Sequence, residues 1–246
     1  MSVLVVEELT AGYNRLPVAS DVSLRAEAGS VTALIGPNGA GKSTILKAIF
    51  GVLRPMGGSV ALAGRALTGW PAYRIAQAGM GYVPQVNNVF PTLSVAENLE
   101  MGAYTRTGDI RSRMSQVFDM FPDLKQAARR QAGELSGGQR NMLGMARALM
   151  LDPRVLLLDE PTAGLAPIYV ERIWDRVRAI AATGTGVVVV EQNVDLALTH
   201  ADWAYVLIAG RNSLDGPAAQ VMRKDLASIF LGQAPETETL APIVER

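Results

Sequence analysis

"VTALIGPNGAGKSTILKAIF", Val31 to Phe50, decides how the rest of the chain is read. Its first five residues form a run with no charged side chain, the pattern of a strand covered on both faces. A glycine-rich turn follows, and from Lys42 onward the apolar residues recur with helical spacing. Gly36 to Thr44 matches G-x-x-x-x-G-K-[ST] in full, between a strand and a helix, the context in which that spacing has a mechanism. Gly36, Gly39 and Gly41 let the backbone curl so that its N–H groups point inward at phosphate oxygens, and the helix start adds its positive dipole end. The whole stretch of Gly36, Pro37, Asn38, Gly39, Ala40, Gly41, Lys42, Ser43 and Thr44 is therefore a candidate phosphate cradle. The Lys42 ammonium would reach the β- and γ-phosphates, and the Ser43 hydroxyl would ligate Mg²⁺.

Moving outward, "RVLLLDE" (Arg154 to Glu160) is a second buried strand, delivering Asp159 to the Mg²⁺ shell. Glu160 follows it immediately, where a carboxylate can polarise a water that attacks the γ-phosphate. "GVVVVEQ" (Gly186 to Gln192) is a third buried strand, ending in the polar run Glu191, Gln192, Asn193. "PIYVERIWDRVRAIAATG" reads as an amphipathic helix stopped by Gly184. Nearer the start, "VLVVEELTAGY" and "GGSVALAGRAL" alternate as antiparallel strands do. From about Thr92 to Arg130 the pattern is helical with no strand, which implies a helical insertion in an α/β core. The tail "QAPETETLAPIVER" is rich in proline and glutamate and is expected to be weakly ordered.

Composition bounds the function. The 246 residues are 49% apolar, enough for a substantial core. Lys plus Arg and Asp plus Glu both total 23, so the balance does not point to a nucleic-acid partner. There is no cysteine, hence no disulfide and no thiolate metal site. The N-terminus lacks a basic region and is broken by Glu7 and Glu8, so no signal peptide is expected. No apolar run approaches the roughly 20 residues that span a bilayer, so any membrane role must come through a partner.

Many phosphate-binding loops hydrolyse ATP, and "LSGGQ" (Leu135 to Gln139) narrows the choice. On its own it is a turn with Ser136 as a helix N-cap. Together with the loop and the Asp159 strand, the chain resembles the ATP-binding cassette (ABC) ATPases. The resemblance implies a P-loop α/β fold with an N-terminal antiparallel β-subdomain and an inserted α-helical subdomain. It implies an ABC ATPase domain over 1–232, the helical part at about 86–145, and a tail over 233–246. It implies that Tyr13 stacks on adenine and that Gln85, in "GYVPQ", touches Mg²⁺ and meets a transport subunit. It also implies a head-to-tail dimer in which Ser136, Gly137, Gly138 and Gln139 cover the ATP held by the opposite P-loop. Glu160, Lys42, Gln85 and Gln192 are then the catalytic set, and Ser43, Gln85 and Asp159 the Mg²⁺ set.

Two residues depart from the family pattern. Gln192 stands where the family usually carries a switch histidine, and the sole histidine, His200, is eight residues on, about 12 Å along a helix. Glutamine cannot take a proton near neutral pH, so the base role falls to Glu160. Ala166, in "EPTAGLAP", replaces a common aspartate. "GLAP", "EQN" and "FPTLSVAENLEMGA" together look like the ATPases of branched-chain amino acid importers. Urea and short-chain amide importer ATPases share the pattern, and the glutamine of "VPQ" keeps them open. Implied partners are integral permease subunits, a second ATPase (the same chain or a sister), and, indirectly, a periplasmic or extracellular binding protein. The implied location is the cytoplasmic face of the inner or plasma membrane. A DNA- or ribosome-directed ABC ATPase would carry a second cassette, a coiled coil or a basic extension, and a small-molecule kinase has no use for "LSGGQ".

Overall fold

The structure, a computed structural model, describes residues 2–230; the expected weakly ordered tail over 233–246 lies outside them. In chain order the elements are β1 (Ser2–Tyr13), β2 (Leu16–Glu27), β3 (Val31–Ile35), α1 (Lys42–Ile49), β4 (Gly57–Leu62), β5 (Arg65–Ala66), α2 (Ala72–Gln77) and β6 (Met80–Val83). Then come α3 (Val95–Gly102), α4 (Ile110–Met120), α5 (Pro122–Gln126), α6 (Gly137–Leu149), β7 (Val155–Asp159), α7 (Pro167–Ala182) and β8 (Gly186–Glu191). Last are α8 (Val194–His200), β9 (Trp203–Ile208), β10 (Arg211–Pro217), α9 (Ala218–Val221) and α10 (Leu226–Phe230).

Six strands form one sheet in the order β10-β9-β3-β8-β7-β6, parallel except where β10 pairs with β9. Every residue of β3, β7 and β8 is buried, which explains their unbroken apolar sequences. The two faces serve different cores. Leu34, Leu157, Val188 and Val190 face α1 and the second sheet, whereas Ala33, Leu156, Leu158 and Val189 face α6, α7 and α8. Registers Ile35↔Glu191 and Asp159↔Val190 align the carboxyl ends of β3, β8 and β7. The P-loop, the Glu191–Gln192 pair and the Asp159–Glu160 pair therefore emerge side by side, at the edge where open α/β sheets bind ligands.

The second sheet is antiparallel, in the order β2-β1-β4-β5. The alternating stretch from Gly57 to Leu67 folds as the β4–β5 hairpin. Ala63 and Gly64 both take positive φ, 48° and 79°, the geometry of a two-residue type I′ turn. Between β6 and β7 the chain is helical. Leu99, Phe118, Phe121, Leu124 and Leu143 join there the same core that residues of α7 and α8 line. Ser94 opens α3 with a reciprocal capping box to Glu97, a cap of the kind that contributes about 1 kcal/mol. Among the described residues no helix is long and apolar enough to cross a membrane.

Candidate nucleotide site

The P-loop needs glycine for steric reasons. At Gly36, a Cβ would fall 2.1 Å from the carbonyl oxygen of Leu207 on β9. Gly41, at φ 92°, is the N-cap of α1, and no side chain caps that end. The first N–H groups of α1 are thus open to an anion. Lys42 is only 4% exposed, and its Nζ donates to the carbonyl oxygens of Gly36 (2.7 Å) and Pro37 (3.0 Å). Burial pushes its ammonium below the ordinary lysine range, while Glu160, Asp159 and Glu191 pull the other way. A phosphate arriving beside it would supply the counter-charge.

Ser43 Oγ donates to Asp159 Oδ1 at 2.7 Å, and the Tyr82 hydroxyl donates to Oδ2 at 3.2 Å. Burial first, and Asp159 second, raise the Tyr82 phenol well above its usual pKa, so it stays a donor. The hydroxyl of Ser43 and the carboxylate of Asp159 are hard oxygen donors beside the phosphate loop, a set that fits Mg²⁺ held jointly by protein, phosphate and water. Among the described residues there is no cluster of three or more His, Cys, Asp or Glu able to hold a metal.

Glu160 is buried and takes φ 48°, the left-handed region. Its N–H donates to Val190 O at 2.9 Å. Its carboxylate receives two amides: Gln85 Nε2 at 2.8 Å, and Gln192 Nε2 at 3.0 and 2.9 Å to the two oxygens. The polar run at the end of β8 is fully occupied. Glu191 accepts from Thr162, Gln192 donates to Glu160, and Asn193 caps α8 by accepting from the Leu196 N–H at 3.1 Å.

Tyr13 ends β1 with its ring about half exposed, and Val18 and Ala19 of the paired strand β2 lie against Gly41. The hairpin tip therefore stands beside the P-loop. Ser136 is the N-cap of α6, with Gly137, Gly138 and Gln139 in the first turn. Among the described residues no hydrogen bond joins Leu135–Gln139 to the P-loop of the same chain. Ala166 is the N-cap of α7 and offers no side-chain acceptor. His200 stacks on the buried Trp174, ring centroids 4.9 Å apart and 9° from parallel, and so packs the back of the sheet.

The motif reading does not anticipate Tyr82, Thr162, Glu191 or the pair Asn88 and Asn141. Asn88 Nδ2 donates to Asn141 Oδ1 at 2.9 Å, and Asn141 Nδ2 to Pro161 O at 2.8 Å. The one signal for these was an acid closing a four-valine strand.

A profile of the family described as "ABC transporter" matches residues 19–163. The chain is 42% identical, over 89% of its length and 93% of the relative, to "Probable branched-chain amino acid transport ATP-binding protein LivF" of Archaeoglobus fulgidus. It is 38% identical, over 93% of its length and 99% of the relative, to "High-affinity branched-chain amino acid transport ATP-binding protein BraG" of Pseudomonas aeruginosa. A lipopolysaccharide export ATP-binding protein, LptB of Haemophilus influenzae, is 34% identical over 95% of this chain and 98% of its own. Among solved structures, the ADP conformation of an ATP-binding cassette of an ABC transporter superposes with a TM-score of 0.84. It is 26% identical, covering 95% of this chain and all of the other.

Proposed function

Because the chain belongs to the ABC transporter family, whose cassettes bind and hydrolyse ATP, we propose that it is the motor subunit of a membrane importer for branched-chain or other hydrophobic amino acids. The observation that carries the hydrolytic part is the grip of two glutamine amides on Glu160, next to Ser43 and Asp159 at the P-loop edge. The cargo class rests on the LivF and BraG relatives.

Ser43, Asp159 and the side-chain oxygen of Gln85, whose nitrogen faces Glu160, would hold Mg²⁺, which when bound with ATP would neutralise phosphate charge. Lys42 exchanges the Gly36 and Pro37 carbonyls for the β- and γ-phosphates. Tyr13 stacks on the adenine. Glu160 orients the attacking water and accepts its proton. The amides of Gln85 and Gln192 donate to its carboxylate and hold it in place. Among the described residues of one chain, none covers the phosphate cradle. Ser136, Gly137, Gly138 and Gln139 supply that cover in a head-to-tail dimer, excluding water from the site.

A cavity of about 320 Å³ between the core and the helices after β6 receives the permease. Its walls include Phe50, Tyr82, Phe90, Met101, Tyr104 and Arg147, an apolar lining with one cation. Tyr82 also touches Asp159, so an occupant would press directly on the metal side of the site. The motor works from the cytoplasmic face, attached through the permease, and the substrate-binding protein acts on it only indirectly. The test is to isolate the complex from membranes, reconstitute it, and measure ATP hydrolysis with binding protein loaded with leucine or with urea. Stimulation by leucine supports amino acid import; stimulation by urea favours the amide-importer reading that Gln85 keeps open. Stimulation by neither rejects import of both.

A further inference from the structure

Glu160 sits at φ 48°, a backbone conformation that a non-glycine residue keeps only where its surroundings over-determine it. The three residues of its turn are each held from another element. Glu160 N–H donates to Val190 O at 2.9 Å. Pro161, which has no N–H, has its carbonyl oxygen held by Asn141 Nδ2 of α6 at 2.8 Å. Thr162 donates twice to a single oxygen, Glu191 Oε1, from its N–H at 3.2 Å and from Oγ1 at 2.7 Å. Glu191 is also the chain neighbour of Gln192, the residue whose amide grips Glu160. One acid thus holds the turn that carries Glu160 and stands next in the chain to its clamp.

That acid is 2% exposed and lies on β8, between the ends of β3 and β7. Burying a carboxylate near the carboxylate of Glu160 is unfavourable, and the site already has Asp159 for a cation. We propose that Glu191 is a positioning residue for hydrolysis, acting through Thr162 and the turn it anchors to aim Glu160 at the attacking water. The proposal rests on the reading of Glu160 as the base.

The test is steady-state ATP hydrolysis by the purified full chain, with ATP affinity measured separately and Glu160→Gln run alongside. Glu191→Ala should lower kcat roughly tenfold, as loss of a buried hydrogen-bonded contact implies, and leave KM and ATP affinity unchanged. Glu191→Gln, which keeps an acceptor toward Thr162, should recover most of the loss. Thr162→Val should lower kcat severalfold, and added to Glu191→Ala it should cost nothing more, because both remove one contact. If Glu191→Ala does not fold, Thr162→Val decides alone. A normal kcat in the folded Glu191→Ala variant, or a loss confined to KM, overturns the proposal while the base reading stands. Substantial hydrolysis by Glu160→Gln overturns both.

Discussion

Two helices begin with glycine-rich sequence, and they end their first turns in opposite ways. α1 opens at Gly41 with no side-chain cap, and six of its eight residues are buried. α6 opens at Ser136, whose Oγ accepts the Gln139 N–H at 3.2 Å while its own N–H donates to Gln139 Oε1 at 3.0 Å. Every helix start leaves four N–H groups unpaired. α1 leaves its own for an outside anion and is held by packing between two sheets. α6 satisfies part of its end internally, with a cap of the kind worth about 1 kcal/mol, and needs no ligand to stand. The half-buried Ser136 still has its hydroxyl proton to donate. One end is thus left open to an anion, and the other, on the proposed head-to-tail arrangement, has a lighter contact to offer a partner.

Substitutions at five positions separate these roles. Glu160→Gln should lower turnover by about 10²- to 10⁴-fold, the usual share of a general base, while ATP still binds and the ATP-bound dimer accumulates. Turnover and size-exclusion profiles with ATP check it. Ser136→Arg should cost about 10²- to 10³-fold in turnover, as loss of a transition-state donor does, with ATP affinity on its own P-loop intact. Normal turnover when every signature serine is altered would remove α6 from the site. Lys42→Ala should weaken ATP binding on the order of 100-fold by titration calorimetry, because two charge-assisted contacts go. Unchanged affinity would contradict the cradle at α1.

Smaller effects follow. Gln192→Ala should slow hydrolysis about tenfold or less, since Gln85 still holds Glu160, and Gln192→His should be tolerated. A collapse as deep as that of Glu160→Gln would make the glutamine indispensable. Gln139→Ala should lower the melting temperature by only about 2–4 °C, the cost of half a capping box, with the ATP affinity of the monomeric chain unchanged. A fall in that affinity would mean α6 serves its own chain's nucleotide.

Much of this was legible in the amino-acid order because the chemistry is local. The strand into Ile35, the loop from Gly36 and the helix from Lys42 are contiguous, so spacing alone specifies a phosphate cradle. β7 and β8 announce themselves through unbroken apolar runs, and α7 through its period and Gly184. Other elements gave weaker signals. β6, four residues long, is too short to display a period, and the β4–β5 hairpin hides its turn in Ala63–Gly64.

The P-loop, the Asp159–Glu160 pair, the signature turn and the family are readable along the chain, because each is written in neighbouring residues whose backbone does the work. What the ends of the strands do to one another emerges only from the packed fold. That Gln85 and Gln192 meet on one carboxylate, that Glu191 holds Thr162, and that Asn141 holds Pro161 depends on the β7–β8 register and the seat of α6. Side chains far apart in the chain carry no mutual signal until parallel pairing sets their strand ends level, and a buried polar group finds its partner only in that packed geometry.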